Sequence, residues 1–322
     1  MIEVSGLVKT FGSFRALDGV SFTVGEREIL GFLGPNGAGK STTMNIMTGY
    51  LSSNEGSVKI DGIDMAEQPD KAKKLIGFLP EQPPLYMDMK VDEYLRFVYE
   101  LKGCTLARDA HLEEICRVCR LTEVRGRLIK NLSKGYRQRV GIAQALVGNP
   151  KVLIFDEPTV GLDPKQIIEV RNLIRTLGRT HTVILSTHIL SEAQSVCDRV
   201  VIINGGKVLA DEKTDNIAHA LNRSTRYAVK ICGSPQDVVK AVREVPGVTS
   251  AEPTGERERD SITYRVECEN GFDTRKNLFF AMAEKGYAVV GLEEEGMSLE
   301  DVFIKLTDTD PSAGTRKGGG AK

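Results

Sequence analysis

The sequence reads Gly34-Pro35-Asn36-Gly37-Ala38-Gly39-Lys40-Ser41-Thr42 near its amino end, and this stretch decides the fold of the domain around it. It matches G-x-x-x-x-G-K-[ST], the pattern of a phosphate-binding loop. The apolar run 28–33 predicts a buried strand, and residues 42–47 predict a helix that closes at Gly49. A glycine-rich turn between a strand and a helix N-terminus directs backbone N–H groups and the helix dipole toward an anion. The stretch therefore predicts a site for a nucleoside triphosphate.

The residue types within the loop each have a physical reason. Gly34, Gly37 and Gly39 let the backbone approach phosphate oxygens closely. Lys40 is expected to reach the outer phosphates, and the Ser41 hydroxyl is expected to bind Mg²⁺. The alternative is an ordinary glycine turn before a helix, but the strand and helix patterns on either side favour the phosphate loop.

Composition limits the classes of function. The chain has 322 residues, which suggests two domains, and a net charge of −1. This balance argues against an electrostatic nucleic-acid binder, which would carry a basic excess. No apolar run approaches the roughly 18 residues that a membrane span needs, and residues 1–4 do not open a signal peptide. We therefore expect a soluble cytoplasmic protein without a nucleic-acid partner.

Strand and helix patterns alternate through the first two thirds of the chain. Strand patterns at 2–8 and 16–24 give an antiparallel opening before the phosphate loop. Helical spacing takes over between about 91 and 150, after which short apolar strands return. This order predicts an α/β P-loop domain over residues 1–221, with a mainly parallel sheet, an antiparallel β subdomain and a helical subdomain.

A second pattern begins after Leu221. Strand and helix signals follow in the order β-α-β-β-α-β, which is the ferredoxin-like order. They predict a small α+β C-terminal domain over 222–308, including a last helix at 299–306. Residues 309–322 are predicted to form a disordered tail. This domain shows no phosphate loop in its sequence, so we expect an accessory binding or assembly role.

Further candidate residues follow the helical stretch. Asp156 and Glu157 end the apolar strand pattern 152–155. Asp156 is placed to hold Mg²⁺ directly or through water, and Glu157 to polarise an attacking water. A solvated strand end is the alternative for this pair. The stretch 132–139 is a further candidate for a functional role, and it starts a helix with Ser133 as its N-cap. The alternative interpretation is that Ser133 only caps this helix.

In the order of these stretches the chain resembles the ATP-binding-cassette (ABC) ATPases, the engine subunits of ABC transporters. The resemblance covers about residues 1–220. Its motifs are an aromatic at Phe11, the phosphate loop, Gln82 of the Q-loop, Ser133-Lys134-Gly135 of the signature, Asp156-Glu157 of Walker B, Asp163 of the D-loop and His188 of the switch loop. The signature departs from the family's Leu-Ser-Gly-Gly-Gln, because Lys134 replaces its first glycine and Tyr136 its glutamine.

A finer resemblance is to the single-cassette exporter group that includes multidrug-type and gliding-motility ATPases. The stretch Leu79-Pro80-Glu81-Gln82-Pro83-Pro84-Leu85-Tyr86 is similar to that group. So is the small C-terminal domain that ends near Leu299-Glu300-Asp301-Val302-Phe303. Lys134 and Tyr136 are usual in the same group, so the departures in the signature concern the subtype more than the activity.

The resemblance implies a subunit that hydrolyses ATP with Mg²⁺. It assigns ATP contacts to Phe11, Gly34, Pro35, Asn36, Gly37, Ala38, Gly39, Lys40, Ser41, Thr42, Ser133 and Gly135. It assigns catalysis to Gln82, Glu157 and His188, and Mg²⁺ binding to Ser41, Gln82 and Asp156. Two such chains, identical or related, are expected to hold two ATPs head to tail, each meeting the other's γ-phosphate through Ser133 and Gly135. The helical subdomain is expected to dock multi-span permease subunits at the inner face of the cell membrane.

Two other classes of function stay open at this point. A soluble ABC ATPase acting on DNA or ribosomes shares the motifs, but DNA-repair relatives carry a long coiled coil or zinc modules between Lys40 and Asp156. Translation relatives carry two cassettes in one chain. A regulatory subunit that binds ATP without hydrolysing it is the third class, and the presence of Glu157 and His188 argues against it. The cargo is expected to contact the permease, so this chain does not identify it.

Overall fold

A computed structural model describes residues 1–214, 224–269 and 273–294. It divides the chain into two compact units, Met1–Thr214 and Asp215–Lys322. The sequence boundary expected at 221/222, the expected helix at 299–306 and the expected tail at 309–322 lie outside the described residues.

The first unit alternates strands and helices. Its strands are β1 (Ile2–Phe11), β2 (Phe14–Val24), β3 (Ile29–Leu33), β4 (Glu55–Ile60), β5 (Ile63–Asp64), β6 (Ile76–Leu79), β7 (Val152–Asp156), β8 (Thr182–Thr187), β9 (Arg199–Asn204) and β10 (Lys207–Lys213). Its helices are α1 (Lys40–Met47), α2 (Pro69–Lys74), α3 (Val91–Leu101), α4 (Arg108–Val118), α5 (Lys134–Leu146), α6 (Pro164–Gly178) and α7 (Leu190–Val196). Single 3-10 turns cover Thr122–Val124 and Ile129–Asn131.

The central sheet of this unit positions the site. Its six strands run in the order β10-β9-β3-β8-β7-β6, and all neighbours pair in parallel except β10 with β9. Every residue of β3, β7 and β8 is buried, which explains their near-continuous apolar runs. Because these three strands are parallel neighbours, their carboxyl ends meet at one edge of the sheet, where open α/β folds bind ligands.

The two strands that precede the phosphate loop pair antiparallel, as the sequence predicts, and belong to a smaller sheet that β4 and β5 complete. Its strands run in the order β2-β1-β4-β5, and the turn between β1 and β2 pairs Phe11 with Phe14. Its inward side chains pack with those of the central sheet in one apolar core that includes Phe22, Phe32 and Met44. Phe11 and Phe14 therefore stand side by side at the tip of a hairpin whose strands pack into the core.

The helical subdomain predicted between about 91 and 150 consists of α3, α4 and α5 and the two 3-10 turns. The helix α2 is missing from the sequence prediction. It is six residues long, and only Ala72 within it is buried, so it carries almost no apolar periodicity. Helix α1 begins at Lys40, two residues before the predicted start.

The second unit has the β-α-β-β-α-β order that the sequence predicts. Its elements are β11 (Ser224–Cys232), α8 (Pro235–Arg243), β12 (Val248–Glu258), β13 (Ser261–Glu269), α9 (Arg275–Glu284) and β14 (Val289–Glu294). The strands form an antiparallel sheet in the order β12-β13-β11-β14. Tyr264, Val229 and Val266 belong to its own apolar core. Across the described parts of both units, no helix has the length and apolar character needed to cross a membrane.

Candidate functional site

The phosphate loop runs from the end of β3 into the first turn of α1. Gly37 has a φ of 82° and Gly39 a φ of 108°, a backbone region that side-chain-bearing residues rarely adopt. A Cβ atom on Gly39 would lie 2.6 Å from Leu17 Cδ2 and 2.9 Å from the Ala16 carbonyl oxygen. The hairpin of the small sheet thus packs directly against the loop, and only glycine fits at position 39.

Lys40 is the first residue of α1, and its side chain turns back over the loop. It is only 6% exposed. Its Nζ donates to the Gly34 carbonyl oxygen at 2.8 Å and to the Pro35 carbonyl oxygen at 3.3 Å. It also lies 3.5 Å from Glu157 Oε1. The carbonyl oxygens of the loop therefore hold the Lys40 ammonium group close to the Glu157 carboxylate.

Two carboxylates stand at the carboxyl end of β7, where Asp156 is the last strand residue and Glu157 the next, and a hydroxyl of β8 contacts both residues. Asp156 and Ser186 are paired residues of these parallel strands. The fully buried Ser186 Oγ donates to Asp156 Oδ1 and accepts from the Glu157 backbone N–H at 3.0 Å. Glu157 has a φ of 48°, which is unusual for a residue with a side chain and turns its carboxylate away from the strand direction. Ser186 was not singled out as a site residue from the sequence, although a hydroxyl after the apolar run 183–185 was a usable signal.

His188 comes one residue after β8 and faces the same carboxylate. Its Nδ1 lies 3.0 Å from both Glu157 Oε1 and Glu157 Oε2. The His188 side chain is 41% exposed, whereas that of Glu157 is 9% exposed. Lys40, Glu157 and His188 therefore form one chain of polar contacts from the loop to the end of β8.

These groups border a cavity of about 400 Å³. The cavity is lined by Phe11, Phe14, Ala16, Pro35, Asn36, Gly37, Gly39, Lys40, Ser41, Thr42, Glu81, Glu157, Val160 and His188. Gly34 and Ala38 are buried beneath it. Phe11 and Phe14 are 49% and 53% exposed, so two rings face the opening. The sequence analysis did not identify Phe14 or Glu81 as site residues. Phe14 is placed by its pairing with Phe11 in the hairpin, and Glu81 only precedes the predicted Gln82, so neither residue belongs to a motif.

Three other predicted residues lie elsewhere on the first unit. Gln82 is exposed and lines a separate groove with Lys134 and Arg137, while its neighbour Glu81 borders the cavity. Ser133 and Gly135 line another depression, together with Asp163.

The local structure explains the residue types at this second depression. Ser133 caps α5 by accepting from the Tyr136 N–H at 3.4 Å, and Asp163 caps α6 by accepting from the Gln166 N–H at 2.9 Å. A Cβ atom on Gly135 would lie 2.7 Å from Gln166 Cδ, so the Gln166 side chain packs closely over this glycine and would have to move for a larger residue. Ser133 and Gly135 therefore line a surface that is separate from the cavity beside the phosphate loop of the same chain.

The oxygen donors near the loop are of the kind that Mg²⁺ prefers. Ser41 borders the cavity, and Asp156 is buried at the carboxyl end of β7, two strands away from β3 in the sheet. Over residues 1–214, 224–269 and 273–294 there is no group of three or more His, Cys, Asp or Glu side chains arranged to hold a metal ion. The side chains alone thus do not surround a cation.

Comparison with known proteins gives a consistent result. Residues 17–160 match the ABC transporter family. The daunorubicin/doxorubicin resistance ATP-binding protein DrrA of Streptomyces peucetius is 35% identical over 315 residues, which cover 95% of this chain and 92% of DrrA. The bacitracin transport ATP-binding protein BcrA of Bacillus licheniformis is 32% identical over 308 residues, which cover 95% of this chain and 97% of BcrA.

Solved structures agree with the sequence relatives. The dimeric structure of MJ0796, a bacterial ABC transporter cassette, matches with a TM-score of 0.60 and 29% identity, over 66% of this chain and 99% of the cassette. A dimeric post-hydrolysis state of the same cassette, bound to ADP and Pi, matches with a TM-score of 0.60 and 28% identity over the same shares. The first unit thus has the fold of cassettes that have been solved as dimers.

Proposed function

The chain belongs to the ATP-binding proteins of the ABC transporter family and is an ATPase, and we propose that it drives an exporter whose membrane-spanning permease subunits are separate chains. The support comes from its relatives. DrrA is named for drug resistance and BcrA for bacitracin transport, and this chain spans more than nine tenths of each. We further propose that residues 1–221 form the ATP-binding domain and that 222–308 form an accessory domain.

One observation carries the chemistry: Lys40, Glu157 and His188 converge on a single cavity beside the phosphate loop. The Lys40 ammonium, 3.5 Å from the Glu157 carboxylate, is placed to face the outer phosphates of ATP. Glu157 is placed to accept a hydrogen bond from the attacking water, and His188 holds the carboxylate at 3.0 Å. The rings of Phe11 and Phe14 offer apolar faces on which the adenine base can stack.

The residues present fit Mg²⁺ as a companion of the triphosphate. Ser41 and Asp156 would hold it, with Gln82 as a third oxygen ligand, and phosphate oxygens of the substrate would complete the shell. When bound, the ion supplies charge neutralisation for the outer phosphates. Because Gln82 lies in the neighbouring groove, its role requires that the segment around it moves toward the cavity.

We propose that the complete site needs two chains. Ser133 and Gly135 form a surface apart from their own cavity, and a capped helix N-terminus with free N–H groups is a natural partner for an anion. Facing a second copy or a related cassette, this surface supplies donors to the γ-phosphate from the side opposite Lys40. Loss of that phosphate on hydrolysis removes the bridge, so the pair opens.

The location follows from the exporter proposal. The chain works at the inner face of the cell membrane, bound to permease subunits through the helical subdomain of α3, α4 and α5. Neither the nucleic-acid class nor the non-hydrolysing class gains support from the relatives named above.

The test uses the full chain in its own host. Affinity purification from detergent-solubilised membranes should recover a multi-span membrane protein, and the purified complex should hydrolyse ATP only when Mg²⁺ is present. A matched preparation of Glu157→Gln should recover the same membrane protein without hydrolysis. Recovery of the chain from the cytosol alone, without any membrane partner, would contradict the exporter proposal.

A further inference from the structure

Glu192 is a buried carboxylate outside the cavity. It lies on α7 and is 5% exposed. Burial of a charged group is costly unless that group is paired and hydrogen-bonded. It is the third residue of α7, and no side chain among the described residues caps this short helix. The contacts of its carboxylate must therefore explain its burial.

Three side chains meet the Glu192 carboxylate. Thr159 Oγ1 donates to Oε2 at 2.6 Å, and Thr187 Oγ1 lies 3.3 Å from the same oxygen. Arg171 Nη2 forms an ion pair with Oε1 at 3.2 Å. Both oxygens of the carboxylate are therefore engaged, one by hydroxyl groups and the other by a guanidinium.

The two threonines belong to the segments that carry the proposed catalytic groups. Thr159 follows Glu157 by two residues, and Thr187 immediately precedes His188. Thr187 Oγ1 also accepts from the Ile189 N–H at 3.1 Å, which fixes the backbone on the far side of His188. Glu192 thus contacts both the segment that carries Glu157 and the segment that carries His188, the two residues that form a hydrogen bond with each other.

We propose that Glu192 is a positioning residue that holds the segment after β7 and the segment after β8 at the separation required by the Glu157–His188 contact. The inference rests on the catalytic roles proposed above for Glu157 and His188. Small misplacement of reacting groups is expensive: about 1 Å costs on the order of a hundredfold in rate. A carboxylate suits the position because it accepts from two hydroxyls and a cation at once, whereas an amide presents donors on one side.

The first measurement separates kcat from KM. Glu192→Gln should lower kcat for ATP hydrolysis about ten- to a hundredfold, because the alignment of Glu157 and His188 is lost. KM for ATP should stay within about threefold, since Glu192 does not border the cavity that holds the nucleotide. The matched control is Glu28→Gln, which removes an ion pair with Arg199 of 2.7 Å at the opposite, amino end of β3. That control should lose stability without a fall in kcat.

A second variant covers the case in which Glu192→Gln does not fold. Thr159→Val keeps the shape of the side chain and removes only the 2.6 Å hydroxyl donor. It should lower kcat by about tenfold, the lower end of what one hydrogen bond to a charged group contributes, again without a comparable change in KM.

A double-mutant cycle tests whether Glu192 acts through His188. If it does, the double variant with His188→Ala and Glu192→Gln should have the same kcat for ATP hydrolysis as His188→Ala alone, because no imidazole is left for Glu192 to align. If the double variant instead loses kcat by the product of the two single losses, the proposal is wrong. It is also wrong if folded Glu192→Gln has the wild-type kcat while His188→Ala has a reduced kcat. A wild-type kcat in His188→Ala would contradict the proposed function itself, and the inference with it.

Discussion

Replacing Lys40 by methionine tests the phosphate site with the least change in shape. The methionine keeps the apolar stem of the buried lysine and removes its charge and its donors. In the folded chain the ammonium group donates to two loop carbonyl oxygens and lies 3.5 Å from Glu157 Oε1. The change therefore leaves the loop without its internal cation and the Glu157 carboxylate without its neighbour.

The expected loss in ATP affinity follows from these contacts. A hydrogen bond to a charged group contributes about 1.5–3 kcal/mol. The Lys40 ammonium has three donors, so it can keep the 2.8 Å contact with the Gly34 carbonyl oxygen, release the longer 3.3 Å contact with that of Pro35, and offer two donors to the outer phosphates. Their combined loss is about 3–6 kcal/mol, and about 1.4 kcal/mol corresponds to a factor of ten in affinity. We expect ATP to bind at least about a hundredfold more weakly and hydrolysis to be undetectable.

Isothermal titration of the purified chain with ATP and Mg²⁺ measures this loss. Lys9→Met is the matched control, because Lys9 is also buried and its Nζ donates to a carbonyl oxygen, that of Ser52, at 2.6 Å. Lys9 does not border the cavity, and its Nζ lies 5.4 Å from the centre of the Phe11 ring, a contact of about 0.5–1 kcal/mol, so its replacement should change ATP affinity less than about tenfold. A folded Lys40→Met chain that binds ATP within threefold of the wild type would refute the assignment of the loop.

Three further outcomes are expected. Phe11→Ala should weaken ATP binding in a titration while Phe11→Tyr should not, since the ring face is what stacks on adenine; equal affinities would remove Phe11 from the site. Burial lowers the pKa of His111 below its ordinary value of 6.5, and its Nε2 accepts from the Gly148 N–H at 3.0 Å. The unfolded chain therefore binds the proton more readily, so thermal stability should fall as pH drops below about 6.5, and less so in His111→Gln. Identical pH profiles for the two chains would exclude His111 as the cause. A chain ending at Leu221 should still bind ATP, and a folded truncate that does not would show that the C-terminal unit belongs to the site.

The sequence predicts best what depends on neighbouring residues. The phosphate loop is contiguous, and the pattern of strand, glycines and helix defines its conformation without reference to the rest of the chain. Asp156 and Glu157 follow the same logic, because they end an apolar run that fills a buried strand. The pairing of Asp156 with Ser186 across parallel strands was accessible in principle, since both residues end apolar runs of similar length.

Contacts between distant segments were beyond reach of the sequence. Phe14 enters the cavity because a two-residue turn folds it beside Phe11. Glu192 is an ordinary acidic residue on a short helix until the fold brings Thr159 and Arg171 to it. Helix α2 was missed for a different reason: with a single buried residue it has no apolar stripe to detect.

The most direct measurement of the two-chain ATPase site is size-exclusion chromatography of Glu157→Gln with ATP and Mg²⁺. The amide keeps the size of the side chain but cannot take up the proton of the attacking water, so hydrolysis should fall by about two to four orders of magnitude. The γ-phosphate then persists between the chains, and we expect a long-lived dimer in ATP that is absent in ADP. Adding Ser133→Arg should abolish that dimer, because a bulky cation occupies the place of a γ-phosphate donor. A Glu157→Gln chain that stays monomeric in ATP and hydrolyses it at the wild-type rate would contradict both the catalytic role of Glu157 and the shared site.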